Sequence, residues 1–303
     1  MPNQLHKKNN WKTKLVWSLH YLFSLLPFGV LYAISDFLYL LTYYVIRYRK
    51  KVVRQNLEHS FPNKTKEEIR TIEKKFYHFF CDSIVETNKT FSFSPQSITK
   101  RITMSGVEEM EKELEVKDFC FFMPGHYGNW EWMATLPLSA KNKNIYFGTG
   151  YQPLNNDMYD EIFLNLRGRF GMNGIASKKL LRTIIAMKKE EKKGIIAFIA
   201  DQSPTKEGSR CWTNFLNQDT AFFTGAENIG RKQNAAFYFT HVTRPKRGYY
   251  HYHFEKIEAD VNNQNEVTIA YARMLEKMIM REPALWLWTH RRWKRNRAAY
   301  GDE

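Results

Sequence analysis

The residues with the clearest chemical potential lie at 119–132, where FCFFMPGHYGNWEW runs from an apolar stretch through Pro124 and Gly125 into His126 and then Glu131. Neutral imidazole titrates near working pH and can take the proton of a hydroxyl as its oxygen attacks a carbonyl, a contribution of roughly 10²–10⁴ in rate. A carboxylate on the other ring nitrogen fixes the tautomer and favours the imidazolium that forms. On one regular helix, residues with this spacing point about 140° apart, so His126 is expected in the turn or at the helix start and Glu131 one turn inside. Gly125 and Gly128 free the backbone to approach a ligand closely.

Three other clusters could complete a site. Arg167 and Arg169, in LNLRGRFGMNGI, stand where a helix runs out into a turn, as a guanidinium meeting a phosphate or carboxylate would. GIIAFIADQSP puts Asp201, Gln202 and Ser203 just past a buried strand, the usual position of an α/β site, with a plain turn before Pro204 as the competing reading. TGAENIGRK sets Thr224 and Gly225 at a helix start, suited to an anion or to nothing beyond an N-cap.

The elements that must position these residues alternate along the chain. Thr65 opens a helix running to about residue 90, with Glu67 and Glu68 in its first turn and a capping-box pattern. Strands are expected at about 118–124, 145–150 and 195–200, with helices at about 129–139, 156–168 and 177–191. The stretches 235–243 and 249–257 read as a hairpin turning through Pro245 and Gly248, and a helix follows at about 264–281. This alternation predicts an α/β fold, a single mixed sheet flanked by helices.

The N-terminal part is different. Residues 15–46 are mostly apolar and aromatic, with Lys7, Lys8, Lys12 and Lys14 before them and Arg47, Arg49, Lys50 and Lys51 after. Basic residues on both sides favour keeping both ends on one face of a membrane, so 1–51 is expected to anchor the chain and 52–303 to form the α/β domain. Trp286, Trp288 and Trp293, interleaved with arginines, read as a second contact at headgroup level. A formal charge of +15 over 303 residues predicts polyanionic partners. Cys81, Cys120 and Cys211 form no disulfide framework, and Cys120 is expected in the core.

The order of these pieces carries a resemblance. VVRQNLEHSFP after a hydrophobic start, GHYGNWEW, YQPLNND followed by RGRFG, IAFIADQSP, FFTGAENIGRK and PALWLWTHRRWKR together resemble the bacterial lipid A late acyltransferases of the lysophospholipid acyltransferase superfamily. The resemblance implies transfer of a fatty acyl group from acyl carrier protein, or acyl-CoA, to a hydroxyl of an anionic glycolipid at the cytoplasmic face of the inner membrane. No metal, no other cofactor and no nucleic acid are implied. His126 would be the base and Glu131 its partner. Arg169, Asp201, Gly128, Asn129, Arg167, Thr224 and Gly225 would serve substrate binding. The sequence departs from the family at Gln152, where an arginine is usual, and at Ser203, where a second carboxylate is usual; both departures bear on the acceptor.

Other readings make different demands. The acceptor could instead be a lysophospholipid or aminolipid. A metal-dependent hydrolase would have to gather His126, Glu131, Asp201, His241, His251 and His253, whose spacing matches no zinc motif. A non-catalytic basic membrane or nucleic-acid-binding protein would be indifferent to loss of His126.

Overall fold

The computed structural model describes residues 11–260 and 263–302; Lys7 and Lys8 of the basic N-terminus lie outside them. The helices in chain order are α1 (Trp11–Ser24), α2 (Phe28–Leu40, continued by a π-helical turn Leu41–Val45), α3 (Lys50–Ser60), α4 (Lys66–Lys89), α5 (Pro95–Ile98), α6 (Val107–Glu113), α7 (Leu136–Ser139), α8 (Asp157–Gly168), α9 (Leu180–Lys189), α10 (Gly225–Lys232), α11 (Glu266–Arg281) and α12 (Arg297–Tyr300). The strands are β1 (Ile102–Ser105), β2 (Phe119–Met123), β3 (Tyr146–Tyr151), β4 (Asn173–Ala176), β5 (Gly194–Ala197), β6 (Arg210–Phe215), β7 (Gln218–Phe223), β8 (Ala235–Lys246) and β9 (Tyr249–Lys256).

Seven strands form one sheet in the order β1-β9-β8-β2-β5-β3-β4. Every pairing in it is parallel except β8 with β9, so the expected mixed sheet and its hairpin are present. Strands β6 and β7 form a separate antiparallel pair. β2 is buried at every position, which is why its sequence is a continuous apolar run and not an alternating one. Phe121, Phe122, Ile195, Ile196, Phe237 and Phe239 fill the centre of the core.

Helix α4 begins as its sequence predicts. Thr65 Oγ1 accepts from Glu68 N–H at 3.2 Å while the Glu68 carboxylate accepts from Thr65 N–H at 2.8 Å, which satisfies two of the helix's otherwise unpaired donors. Other expected elements are modified. The helix foreseen at 129–139 is a 3₁₀ turn, Trp130–Thr135, followed by the single α-turn α7, because Pro137 lacks the N–H that a longer α-helix would use. The one foreseen at 177–191 starts as 3₁₀ and is α-helical only through α9.

The N-terminal helices lie on the domain. Tyr43 belongs to the main core, with Phe28 and Tyr39 packed against it. Phe28–Val45 is long and apolar enough to cross a membrane by length and composition. The closing tryptophans differ from expectation: Trp286 and Trp288 are buried, with rings 4.7 Å apart at right angles. Trp288 donates to Pro283 O at 2.7 Å. Their indoles are core rather than headgroup anchors, since each N–H finds a partner inside the protein.

Candidate active site

His126 and Asp201 meet because of strand register. In the parallel pair β2–β5, Phe122 stands opposite Ala197, and His126 and Asp201 each follow four residues later. Parallel neighbours end together, so both residues emerge at the same carboxyl edge of the sheet, where open α/β folds place their ligands. The contact is double: His126 Nδ1 lies 2.6 Å from Asp201 Oδ1, and the His126 backbone N–H donates to Asp201 Oδ2 at 2.8 Å. Trp286 Nε1 donates to the same Oδ2 at 2.9 Å. Gly125 makes the approach possible, since a Cβ there would stand 2.8 Å from Leu275 Cδ1 and 3.4 Å from the Asp201 carboxylate.

The closing segment completes the arrangement. Gly128 N–H donates to Leu285 O at 2.9 Å and Leu287 N–H to His126 O at 3.1 Å, so residues 285–287 strap antiparallel across 126–128. Gly128 takes φ of 61° there, with Val242 Cγ1 only 2.7 Å from where a side chain would begin; a residue with a Cβ would be strained and crowded.

Electrostatics reinforce the pair. Burial alone would raise the Asp201 carboxyl, but the charge of His126 and three hydrogen bonds outweigh it and hold Asp201 at about 2. Burial likewise pulls the His126 imidazole down, and Asp201, with a smaller contribution from Glu131, reverses this and raises it above its ordinary value. Both partners favour the ion pair. Gln202 Nε2 donates to His126 Nε2 at 3.2 Å, so the second ring nitrogen carries the lone pair when Nδ1–H faces Asp201.

His126, 19% exposed at its side chain, lines a cavity of about 530 Å³ together with Trp130, Glu131, Arg167, Gln202 and Leu287. The edge of the Trp130 ring system lies against the imidazole, centroids 5.1 Å apart. A more apolar cavity of about 460 Å³, between α1, α4 and α8, shares Trp130, Glu131, Phe163 and Leu287 with the first.

Several expected site residues stand elsewhere. Glu131 is in the cavity wall but does not orient His126: both its oxygens accept from Arg167, at 2.7 and 2.9 Å. The 3₁₀ turn carries Glu131 towards α8, and Asp201 takes Nδ1 instead. Arg169 turns away, donating to the carbonyls of Thr90, Phe91 and Phe93, where it caps the carbonyl-rich end of α4. The Asn129 amide donates to Glu86 at 3.2 Å and lines the apolar cavity. Thr224 is buried on Ser209 and Asn228, an N-terminal residue of α10 that does not line the main cavity; Gly225 packs under the Phe223 ring. His241, His251 and His253 lie on β8 and β9, bonded to Glu255, Thr103 and Ser105, and none lines the main cavity. Gln202 was legible only as a neighbour of Asp201 past a buried strand, and Trp286 was read as a membrane contact; their bonds to His126 and Asp201 are what the sequence did not show.

Residues 2–295 match the family described as bacterial lipid A biosynthesis acyltransferase. The chain is 23% identical over 290 residues to a lipid A biosynthesis palmitoleoyltransferase of Escherichia coli K12, covering 94% of this chain and 91% of that one. It is 25% identical over 290 residues to the lauroyltransferase of the same organism, covering 94% and 92%. A lipid A biosynthesis acyltransferase of Haemophilus influenzae is 26% identical over 254 residues, covering 81% and 78%.

Proposed function

Because the chain belongs to the bacterial lipid A biosynthesis acyltransferase family, we propose that it moves a fatty acyl group from the thioester of acyl carrier protein to a hydroxyl of a lipid A precursor, with His126 as general base. The observation that carries this reading is an imidazole fixed on one side by a buried carboxylate and open on the other to a cavity. The acceptor hydroxyl displaces the Gln202 amide from His126 Nε2, and Nε2 then takes the hydroxyl proton as its oxygen bonds to the thioester carbonyl carbon. The tetrahedral intermediate then expels the thiolate, the carbon–sulfur bond breaks, and the imidazolium proton passes to sulfur. Asp201 stabilises the imidazolium between these steps.

The oxyanion needs a donor. The backbone N–H groups of His126 and Gly128 already serve Asp201 and Leu285, and Arg169 is turned away, so the Gln202 amide beside Nε2 is assigned this role. Glu131 and Arg167 form a charged wall against which a phosphorylated sugar headgroup can seat. A charge of +15 suits both an acidic carrier protein and an anionic glycolipid, and the reaction is proposed to run at the cytoplasmic face of the inner membrane.

The test is mass spectrometry of membrane lipids from cells lacking this gene, complemented with wild type, His126→Ala or Asp201→Asn. Wild type alone should restore a glycolipid heavier by one fatty acyl group, and the lipid that gains mass identifies the acceptor. Identical lipids in all strains would sink the reading.

A further inference from the structure

We propose that α1 and α2 do not cross the bilayer but lie along its surface, their outer faces inserted among anionic lipids and their inner faces bound to the α/β domain. The α2 segment passes the length test, since 18 residues rise about 27 Å against a hydrocarbon core of about 30 Å. Its neighbours rule that role out. α2 runs antiparallel to α4 and is fastened to it or to the sheet at each turn. Tyr32 donates to Glu86 at 3.1 Å, Ser35 to Asp82 at 2.7 Å, and Asp36 accepts from Arg247 at 2.6 Å. The Tyr39 ring lies 5.3 Å from His78, and Tyr43 lies 5.3 Å from Tyr77.

Asp36 sits at the middle of the apolar segment, and Arg247 is in the turn between β8 and β9. A spanning α2 would therefore carry that turn and α4, with its exposed Lys74 and Lys75, into the hydrocarbon. Charged groups placed there would have no water to solvate them.

The outward faces fit a bilayer surface. Trp11, Leu15, Leu19 and Leu22 follow one face of α1, and Phe37, Leu40 and Tyr44 one face of α2, with Phe37 64% exposed. Lys12 and Lys14 at one end and Arg47, Arg49 and Lys51 at the other supply the complement to anionic headgroups. A lipid substrate is then met without leaving its leaflet, although the placement is argued without the proposed reaction.

The experiment uses single added cysteines, because Cys81, Cys120 and Cys211 are buried. Lys12→Cys, Gly29→Cys and Tyr48→Cys report the helix pair, Gly29 having open space for a side chain, and Lys178→Cys marks the domain. An impermeant maleimide polymer is added to sealed right-side-out and inverted membrane vesicles, and the gel shift of each variant is read. The expected result is labelling of Lys12→Cys and Tyr48→Cys only from the side that labels Lys178→Cys, with Gly29→Cys unlabelled from the other. Gly29→Cys labelled from the opposite side would establish a crossing hairpin, and Lys12→Cys so labelled a single span; either overturns the proposal. The readout needs no catalysis, so its failure is separate from failure of the proposed reaction.

Discussion

Two clusters in this molecule bury carboxylates beside cationic groups, and they are put to opposite ends. At the carboxyl edge of β2 and β5, Asp201 holds one nitrogen of His126 and leaves the other facing a cavity. Between α4 and the β8–β9 hairpin, Asp82 and Glu86 are both fully buried, and Arg244 reaches them at 2.6 and 3.4 Å. Arg247, Tyr250, Ser35 and the Asn129 amide complete that second set. In the first cluster the second His126 nitrogen stands at the cavity, bonded only by the Gln202 amide that lines the same cavity; the second cluster spends its groups on one another and fastens three elements together. What separates the proposed catalytic pair from the structural cluster is the direction its last nitrogen faces, since both sets are buried.

That contrast can be broken by substitution. His126→Ala should cost the largest factor, about 10²–10⁴ in turnover, with thermal unfolding little changed; steady-state rates beside melting curves check both halves. Arg244→Ala should do the reverse. Removing one partner of a buried pair costs about 3–5 kcal/mol, so calorimetry should show a clear drop in melting temperature while activity per folded molecule stays within a small factor.

The pH profile sharpens the comparison within the site. In the proposed reaction neutral His126 is the active form, so kcat/KM should fall as pH drops through its raised pKa. Asp201→Asn removes the charge that raises it, and the acidic limb should move to lower pH with a reduced plateau. Glu131→Gln should shift that limb much less, because Glu131 bonds Arg167 and acts on His126 only through space; equal shifts would restore Glu131 as the orienting partner. The smallest effect is expected for Trp286→Phe, which removes one hydrogen bond to a charged group, about 1.5–3 kcal/mol, and should show as a partial loss of rate with a small displacement of the same limb.

How much of this was legible in the sequence depends on the range of the interaction involved. The capping box of α4, the buried run of β2 and the β8–β9 hairpin are local patterns, and all three stand where the residues place them. His126 and Asp201 were each visible as residues just past a buried strand, but their pairing depends on register across 75 positions of sequence, so the nearer carboxylate, Glu131, took the role on paper. Arg167 and Arg169 differ by two positions on one helix end, and only packing decides that the first faces the cavity while the second caps α4. β1 and β4, with four residues each, are too short to show a period. The tryptophans near the end were read by type, and type cannot distinguish an interfacial indole from a buried one.

The strap formed by residues 285–287 has a consequence for how the protein is made. A ribosome delivers the chain from its N-terminus, and every strand of the sheet has been synthesised before Trp286 emerges. Until then Asp201 lacks its indole donor, and the backbone of His126 and Gly128 lacks its antiparallel neighbour. A nascent chain can thus have its whole sheet in hand while His126 and Asp201 still lack the last segment that fixes them.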